Sequence, residues 1–166
     1  VSAVVASSMF ADAVHAAGAV KGGSLKAAMN GGASSDTLDP ALVASEGTHS
    51  ILRQWSDTLV DVSNKGKVEP RLAESIESSA DAKTWHFKIR KDVEFHNGKT
   101  MTPEDVVATV ERHSDESSTS GALGIVNGIE SMKVDGDTVS FTLITPSADF
   151  PYLMADYHLA IQPNGG

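Results

Sequence analysis

The stretch TWHFKIRKDVEFHNGKTMTPEDVVATV, residues 84–110, decides the fold. In its first part Trp85, Phe87 and Ile89 are separated by single polar or charged residues. Such a period of two is typical of a strand with one buried face. We therefore predict a strand that turns its apolar side chains inward and His86 and Lys88 outward.

The second part of the same stretch predicts a turn and then a helix. Asn97-Gly98 is a dipeptide typical of tight turns. Thr102–Asp105 reads Thr-Pro-Glu-Asp, which offers an N-cap residue, proline at the first helical position and two acids in the first turn. The helix should run to about His113, with its buried face formed by Val106, Val107 and Val110.

The rest of the chain adds short helices and hairpins. A helix is predicted over Thr48–Leu59, with Thr48 as its N-cap and Ile51, Leu52, Trp55 and Leu59 on its apolar face. Further predictions are a strand at Ser24–Met29, a turn at Asn64–Lys67, an exposed loop at Ser114–Gly124, a hairpin of Ile129–Val134 with Thr138–Leu143, a helix within Ser147–Asp156 and a strand at His158–Ile161. Antiparallel hairpins with interspersed helices indicate an α+β fold rather than βαβ repeats.

Composition excludes several classes of function. The 166 residues carry 13 Lys and Arg against 22 Asp and Glu, a formal net charge of −9. Nucleic-acid binding needs a basic face, so no nucleic-acid partner is expected. No apolar run approaches the roughly 18 residues that span a bilayer, so the chain is not predicted to be membrane-spanning. The absence of cysteine removes disulfides, thiolate metal sites and a lipid-modified cysteine anchor.

Motifs for catalysis are weak. His86 and His96 could meet across a hairpin, and with Glu94 they could form a small metal-dependent hydrolase. Zinc usually takes three or four protein ligands, so ordinary surface or half-buried histidines are the simpler interpretation. The sequence has no G-x-S-x-G elbow and no glycine-rich phosphate loop. We predict no enzymatic activity, no cofactor and no metal.

The amino-terminal residues 1–16, VSAVVASSMFADAVHA, are apolar and end in a small-x-Ala sequence. This pattern is typical of the end of a secretory signal peptide, with cleavage expected after Ala16. A short amphipathic helix is the alternative. The domain itself is expected over residues 17–166.

Several long motifs carry a resemblance to a known family. They are Val68–Ala80 (VEPRLAESIESSA), Thr84–Lys91 (TWHFKIRK), Val93–Lys99 (VEFHNGK) and Met101–Val110 (MTPEDVVATV), with support from Gly22–Leu25, Asp36–Pro40 and Asp149–Ile161. In their order and spacing they resemble the extracytoplasmic solute-binding proteins of peptide/nickel-type ABC importers, solute-binding protein family 5. The resemblance covers about residues 20–163, and Ile76 departs from it where the family usually has tryptophan.

The resemblance implies a two-lobe protein that closes on a ligand between its lobes. This chain resembles only the amino-terminal part of the first lobe. The acidic residue with which relatives commonly hold a peptide's amino terminus would lie outside it. Two loops, Gly31–Asp36 and Ser117–Ala122, correspond roughly to segments that face the cleft in relatives. The candidate ligand-binding residues are Gly31, Gly32, Ser34, Asp36, Gly121 and Ala122.

The implied function is ligand capture in the periplasm of a Gram-negative-type cell, with delivery to ABC permease subunits. A peptide is the leading ligand. A nickel complex, a sugar or an opine is the alternative, because one scaffold serves many ligands. The metal-dependent hydrolase and an isolated lobe acting as an adaptor are the remaining hypotheses.

Overall fold

A computed structural model describes residues 22–115 and 117–166. In chain order its helices and strands are α1 (Glu46–Trp55), β1 (Val60–Val62), β2 (Val68–Pro70), β3 (Ala73–Ser78), β4 (Thr84–Ile89), α2 (Pro103–His113), α3 (Leu123–Val126), β5 (Ile129–Asp135), β6 (Thr138–Leu143) and α4 (Phe150–Leu153). Single 3₁₀ turns lie at Pro40–Leu42, Tyr157–Leu159 and Pro163–Gly165. The predicted signal-peptide remnant at residues 1–16 lies outside the described residues.

Four antiparallel strands form the main sheet in the order β3-β4-β6-β5. Within it, β4 lies between β3 and β6, so that Trp85 is opposite Ser78 on one side and Phe141 on the other. A separate antiparallel ribbon pairs β1 with β2 around the predicted turn. The predicted α+β fold with antiparallel hairpins is confirmed.

Three phenylalanines form the centre of the core. Phe87 of β4 meets Phe141 of β6 edge-on, with ring centroids 5.4 Å apart. Phe150 of α4 lies 6.2 Å from the first ring and 5.7 Å from the second. The apolar face of α2 joins the same core through Val106 and Val110, which are fully buried. Sheet, α2 and α4 therefore share one apolar interior.

The predicted alternation of β4 is confirmed in its second half. Phe87 and Ile89 are buried, and Lys88 between them is exposed. Near the start of the strand the two faces differ less, because Trp85 and His86 are both half-buried. The indole N–H of Trp85 donates to the carbonyl of Ser147 at 3.1 Å, so the ring is fixed although part of it remains exposed.

The predicted start of α2 is confirmed and has a further role. Its first-turn Asp105 is only 1% exposed, and the carboxylate accepts the backbone N–H of Thr102 at 2.9 Å. The same carboxylate binds the ammonium of Lys99 and accepts the backbone N–H of Asn164 at 2.7 Å. The helix start thereby anchors the last turn of the described chain.

The first helix begins and ends earlier than the pattern predicted. It spans Glu46–Trp55, and Ser45 is the N-cap, since its hydroxyl accepts the N–H of Thr48 at 3.2 Å. The helix ends where Ser56 folds its backbone N–H and hydroxyl back onto the carbonyl of Leu52. Of the predicted apolar face, Leu52 is buried, Leu59 is buried but outside the helix, and Ile51 and Trp55 are exposed.

Two predicted strands are wrong. Ser24–Met29 belongs to no strand, because no segment of the described chain forms a ladder with it, and Leu25 and Met29 are exposed. At His158–Ile161 the chain turns instead, because the carboxylate of Asp156 accepts the backbone N–H of His158 at 2.9 Å and opens a 3₁₀ turn. Within residues 22–115 and 117–166, no helix is long and apolar enough to cross a membrane.

Candidate functional site

The two predicted ligand loops both lie against residues around the amino-terminal end of α1. The carbonyl oxygen of Gly31 lies against Gly47, at 3.1 Å from where a Cβ on Gly47 would be. The backbone N–H of Gly121 donates to the carbonyl of Ala41 at 3.0 Å. The structure thus connects both loops to residues 41–47, at the amino-terminal end of α1.

The first loop, Gly31–Asp36, is exposed along its whole length. It is closed by Asp36, whose carboxylate accepts the N–H of Ala33 at 2.9 Å while its own N–H donates to the Ala33 carbonyl at 3.1 Å. Gly31 has φ +83°, in the left-handed region that favours glycine. The loop presents Gly32 and Ser34 to solvent in a turn that these two hydrogen bonds close.

The second loop, Ser117–Ala122, was predicted to be exposed but is partly buried. Gly121 is exposed, while Ser120 and Ala122 belong to the interior. The N–H of Ala122 donates to the hydroxyl of Ser120 at 3.1 Å, and its carbonyl accepts from α3. The side chain and backbone of Ala122 are therefore engaged within the fold, and Gly121 is the exposed member of this pair.

A stack of three rings supports the second loop from behind. The ring of Tyr157 lies 4.1 Å from that of His49 and 4.1 Å from that of His158. His158 has Nδ1 2.6 Å from the carboxylate of Asp156 and Nε2 3.0 Å from the carbonyl of Val43. Burial raises the pKa of the Tyr157 hydroxyl, and the nearby carboxylates add to that rise.

Gly121 and His158 lie so close together that there is no room for a side chain at position 121. A Cβ at position 121 would lie 2.3 Å from Nε2 of His158. We expect Gly121→Ala to destabilise the protein by about 1–3 kcal/mol, because over-packing forces neighbours to move. Gly124→Ala is the matched control, since no atom lies within 4 Å of a Cβ there. Denaturant midpoints measure both variants, and equal midpoints would contradict the predicted contact.

His113 is a residue of this region that the sequence analysis did not single out. It is 1% exposed at the end of α2, and its Nδ1 lies 2.6 Å from the hydroxyl of Ser120. Burial lowers the pKa of His113, and the positive charge of Arg112 adds to this. The available signal was its spacing, because Val106, Val110 and His113 follow one helical face.

A groove of about 980 Å³ lies at the other end of α1. Its walls combine apolar side chains, including Trp55, Leu72 and Phe95, with three arginines. Each of these arginines is held by a carboxylate: Arg53 by Asp61 at 3.0 Å, Arg71 by Asp57 at 3.0 Å and Arg112 by Asp39 at 2.6 Å. The groove therefore presents apolar surface and paired charges, and none of the predicted ligand residues lines it.

The residues of the hydrolase hypothesis do not come together. His86 is on β4, where its Nδ1 lies 2.7 Å from the hydroxyl of Ser140. His96 and Glu94 line the groove, and His86 does not. Among the described residues, no three side chains of the metal-ligating types are close enough to share an ion.

Comparison with known proteins identifies the family. Residues 67–165 match the sequence profile of the bacterial extracellular solute-binding proteins, family 5 middle region, over more than half of the chain. The chain belongs to solute-binding protein family 5. The match includes the β3–β4 hairpin and the start of α2, on which the resemblance in the sequence rested, and it also covers the β5–β6 hairpin.

Several known proteins resemble the chain in sequence and fold. The chain is 35% identical over 79 residues to the periplasmic oligopeptide-binding protein OppA of Haemophilus influenzae, covering 48% of this chain and 15% of that one. The solved structure of AgaA from A. tumefaciens R10, in complex with agropinic acid, superposes with a TM-score of 0.73 at 32% identity, covering 77% of this chain and 26% of AgaA. A nickel ABC transporter protein of Bacillus halodurans gives 0.64 at 34% identity, with 76% and 26% covered. The chain thus spans about a quarter or less of these relatives.

Proposed function

We propose that this chain is part of the ligand-capturing component of an ABC importer. The component binds a peptide, or a related small solute, in the periplasm and delivers it to a membrane permease. The family match over residues 67–165 carries this proposal. The periplasmic name of the H. influenzae relative supports the location.

Capture needs no covalent chemistry. In the proposed mechanism the loops Gly31–Asp36 and Ser117–Ala122 form part of one wall of the ligand cleft, and the remainder of the full-length protein forms the other. Exposed glycine backbone offers the N–H and carbonyl of Gly32 and the carbonyl of Gly121 to a peptide backbone, while the N–H of Gly121 stays bonded to Ala41. Closure around the ligand shifts the population from an open to a closed state.

Peptide is the favoured ligand class because the H. influenzae relative is named for oligopeptide binding. The same scaffold holds agropinic acid in AgaA, and a third relative is named for nickel transport. An opine or a nickel complex is therefore the alternative ligand. The two loops favour a solute with several hydrogen-bonding groups, because they offer backbone and hydroxyl groups.

Titration calorimetry on the full-length protein tests the proposal. The probes are a library of di- to nonapeptides, agropinic acid and nickel ion, each added separately to ligand-free protein. We expect binding by a subset of peptides and none by the other two probes. Binding of agropinic acid or nickel with no response to any peptide would overturn peptide capture.

A further inference from the structure

His113 and Ser120 form a buried link between α2 and the second ligand loop. The hydroxyl of Ser120 already accepts the N–H of Ala122 at 3.1 Å, and Nδ1 of His113 lies 2.6 Å from the same oxygen. The hydroxyl can donate its proton to Nδ1 when that atom carries a lone pair, as in a neutral imidazole protonated on Nε2. The imidazole is 1% exposed, so its neutral form makes this link without the cost of burying a charge.

The charges around His113 are divided between two signs. Arg112, on the same helix, and His158, behind the loop, disfavour a positive charge on His113. Asp39 and Asp156 favour that charge. Both carboxylates already have partners, because Asp39 binds Arg112 at 2.6 Å and Asp156 binds His158 at 2.6 Å. A helix carboxyl terminus ordinarily favours protonated histidine, but burial prevails and the pKa of His113 is lowered.

We propose that His113 is a positioning residue, which holds the loop Ser117–Ala122 in its ligand-ready shape only while its imidazole is neutral. Acidification then releases the loop and weakens solute capture. The weakening of solute capture rests on the proposed function, whereas the release of the loop concerns the ligand-free protein alone.

The direction of the effect follows from linkage. A histidine whose folded pKa lies below its ordinary value of 6.5 contributes stability that is complete above pH 6.5. That contribution is lost as the pH falls from 6.5 through the folded pKa, because the opened loop binds the extra proton. Because the open loop binds one proton more than the closed loop, its population can rise at most roughly tenfold for each pH unit of acidification.

Hydrogen exchange on the ligand-free full-length protein tests the loop directly. The reporter is the peptide that covers Ser117–Val126, in which the N–H of Gly121 is held by Ala41. After correction for the pH dependence of intrinsic exchange, its protection should fall several-fold between pH 7 and pH 5.5. Peptides from β4 and β6 should keep theirs. Unchanged protection of the loop, or an equal loss in the sheet, would overturn the proposal.

Three variants separate positioning from a merely structural role. His113→Asn places an amide near the position of Nδ1 and does not titrate, so the pH dependence of loop exchange should disappear. Ser120→Ala removes the hydroxyl, so the loop should exchange faster already at pH 7. His86→Asn is the matched control, because His86 makes a similar bond to Ser140 on the sheet. If His113→Asn retains the wild-type pH dependence, or Ser120→Ala exchanges as wild type does, His113 is not the positioning residue.

The link to capture needs a separate measurement. For a peptide that binds at pH 7.5, affinity should fall by pH 5.5 in wild type and His86→Asn in proportion to the fraction of loops that acidification opens, and stay level in His113→Asn. An equal fall in all three would overturn the link to capture and leave the exchange result standing. Failure of every peptide to bind at pH 7.5 would instead count against the proposed function.

Discussion

Replacement of Phe87 by alanine is expected to lower the free energy of unfolding by about 3–5 kcal/mol. Phe87 is fully buried in β4 and contacts the rings of both Phe141 and Phe150. Its removal loses the transfer free energy of the ring and leaves a cavity that three different elements surround. Because these elements also pair or pack with each other, the cavity cannot close by a local shift.

Denaturant unfolding of the full-length protein measures this loss. Tyr152→Ala is the control, because Tyr152 is 45% exposed and its substitution removes much less buried area than that of the fully buried Phe87. We expect its effect to stay below about 1 kcal/mol. Similar losses for the two variants would show that Phe87 is not at the centre of the core.

Asp105→Ala is expected to cost about 3–5 kcal/mol, because several hydrogen bonds to a buried carboxylate are lost and each bond to a charged group contributes about 1.5–3 kcal/mol. The substitution leaves the backbone N–H groups of Thr102 and Asn164 without their acceptor, and it removes the partner of Lys99. Glu104→Ala is the matched control, since Glu104 is the adjacent first-turn acid and is exposed. Its removal should cost no more than about 0.3–1 kcal/mol from the helix dipole.

The effect of Asp105 should depend on pH. Burial alone would raise the pKa of this carboxyl, but hydrogen bonds from Asn164, Lys99 and Thr102 outweigh it and lower the pKa below 3.8. Its stabilisation is therefore complete above the unfolded value of 3.8 and is lost as the pH falls through the folded pKa. The difference between wild type and Asp105→Ala should shrink below pH 3.8, and a constant difference would contradict this assignment.

Local patterns in the sequence predicted the structure correctly where it depends only on residues within the same helix or strand. The alternation in β4 and the Thr-Pro start of α2 depend on neighbours a few residues away, and both were predicted. The buried role of Asp105 was not, because its partner Asn164 is 59 residues further along the chain. A first-turn acid has the same sequence pattern whether it faces solvent or holds another segment.

The two incorrect strands show the same limit. A short apolar run becomes a strand only when a partner supplies hydrogen bonds, and Ser24–Met29 has none in the described chain. At His158 the side chain of Asp156 captures the backbone N–H first, so a turn forms. In both cases the decision depends on groups outside the run itself.

For the candidate site, the sequence indicated the two loops through a family resemblance, and their role in binding stays a prediction. It did not indicate that His113 and His158 support the second loop. The contact of His158 to Val43 joins segments that are distant in sequence. The contact of His113 to Ser120 is closer in sequence, but it depends on the direction in which the chain leaves the end of α2. Such contacts become visible only when the fold is known.

The strand order β3-β4-β6-β5 has a consequence for how the chain folds. Each outer pair, β3 with β4 and β5 with β6, is a hairpin between neighbours in sequence, and isolated hairpins form in about 1–10 μs. The central pairing joins residues as far apart as Thr84 and Thr142, with α2 and α3 in between. Closing so long a loop costs chain entropy before any contact compensates for it, and non-local pairing of this kind slows folding. We therefore expect both hairpins to form early and the β4–β6 pairing to be the rate-limiting step.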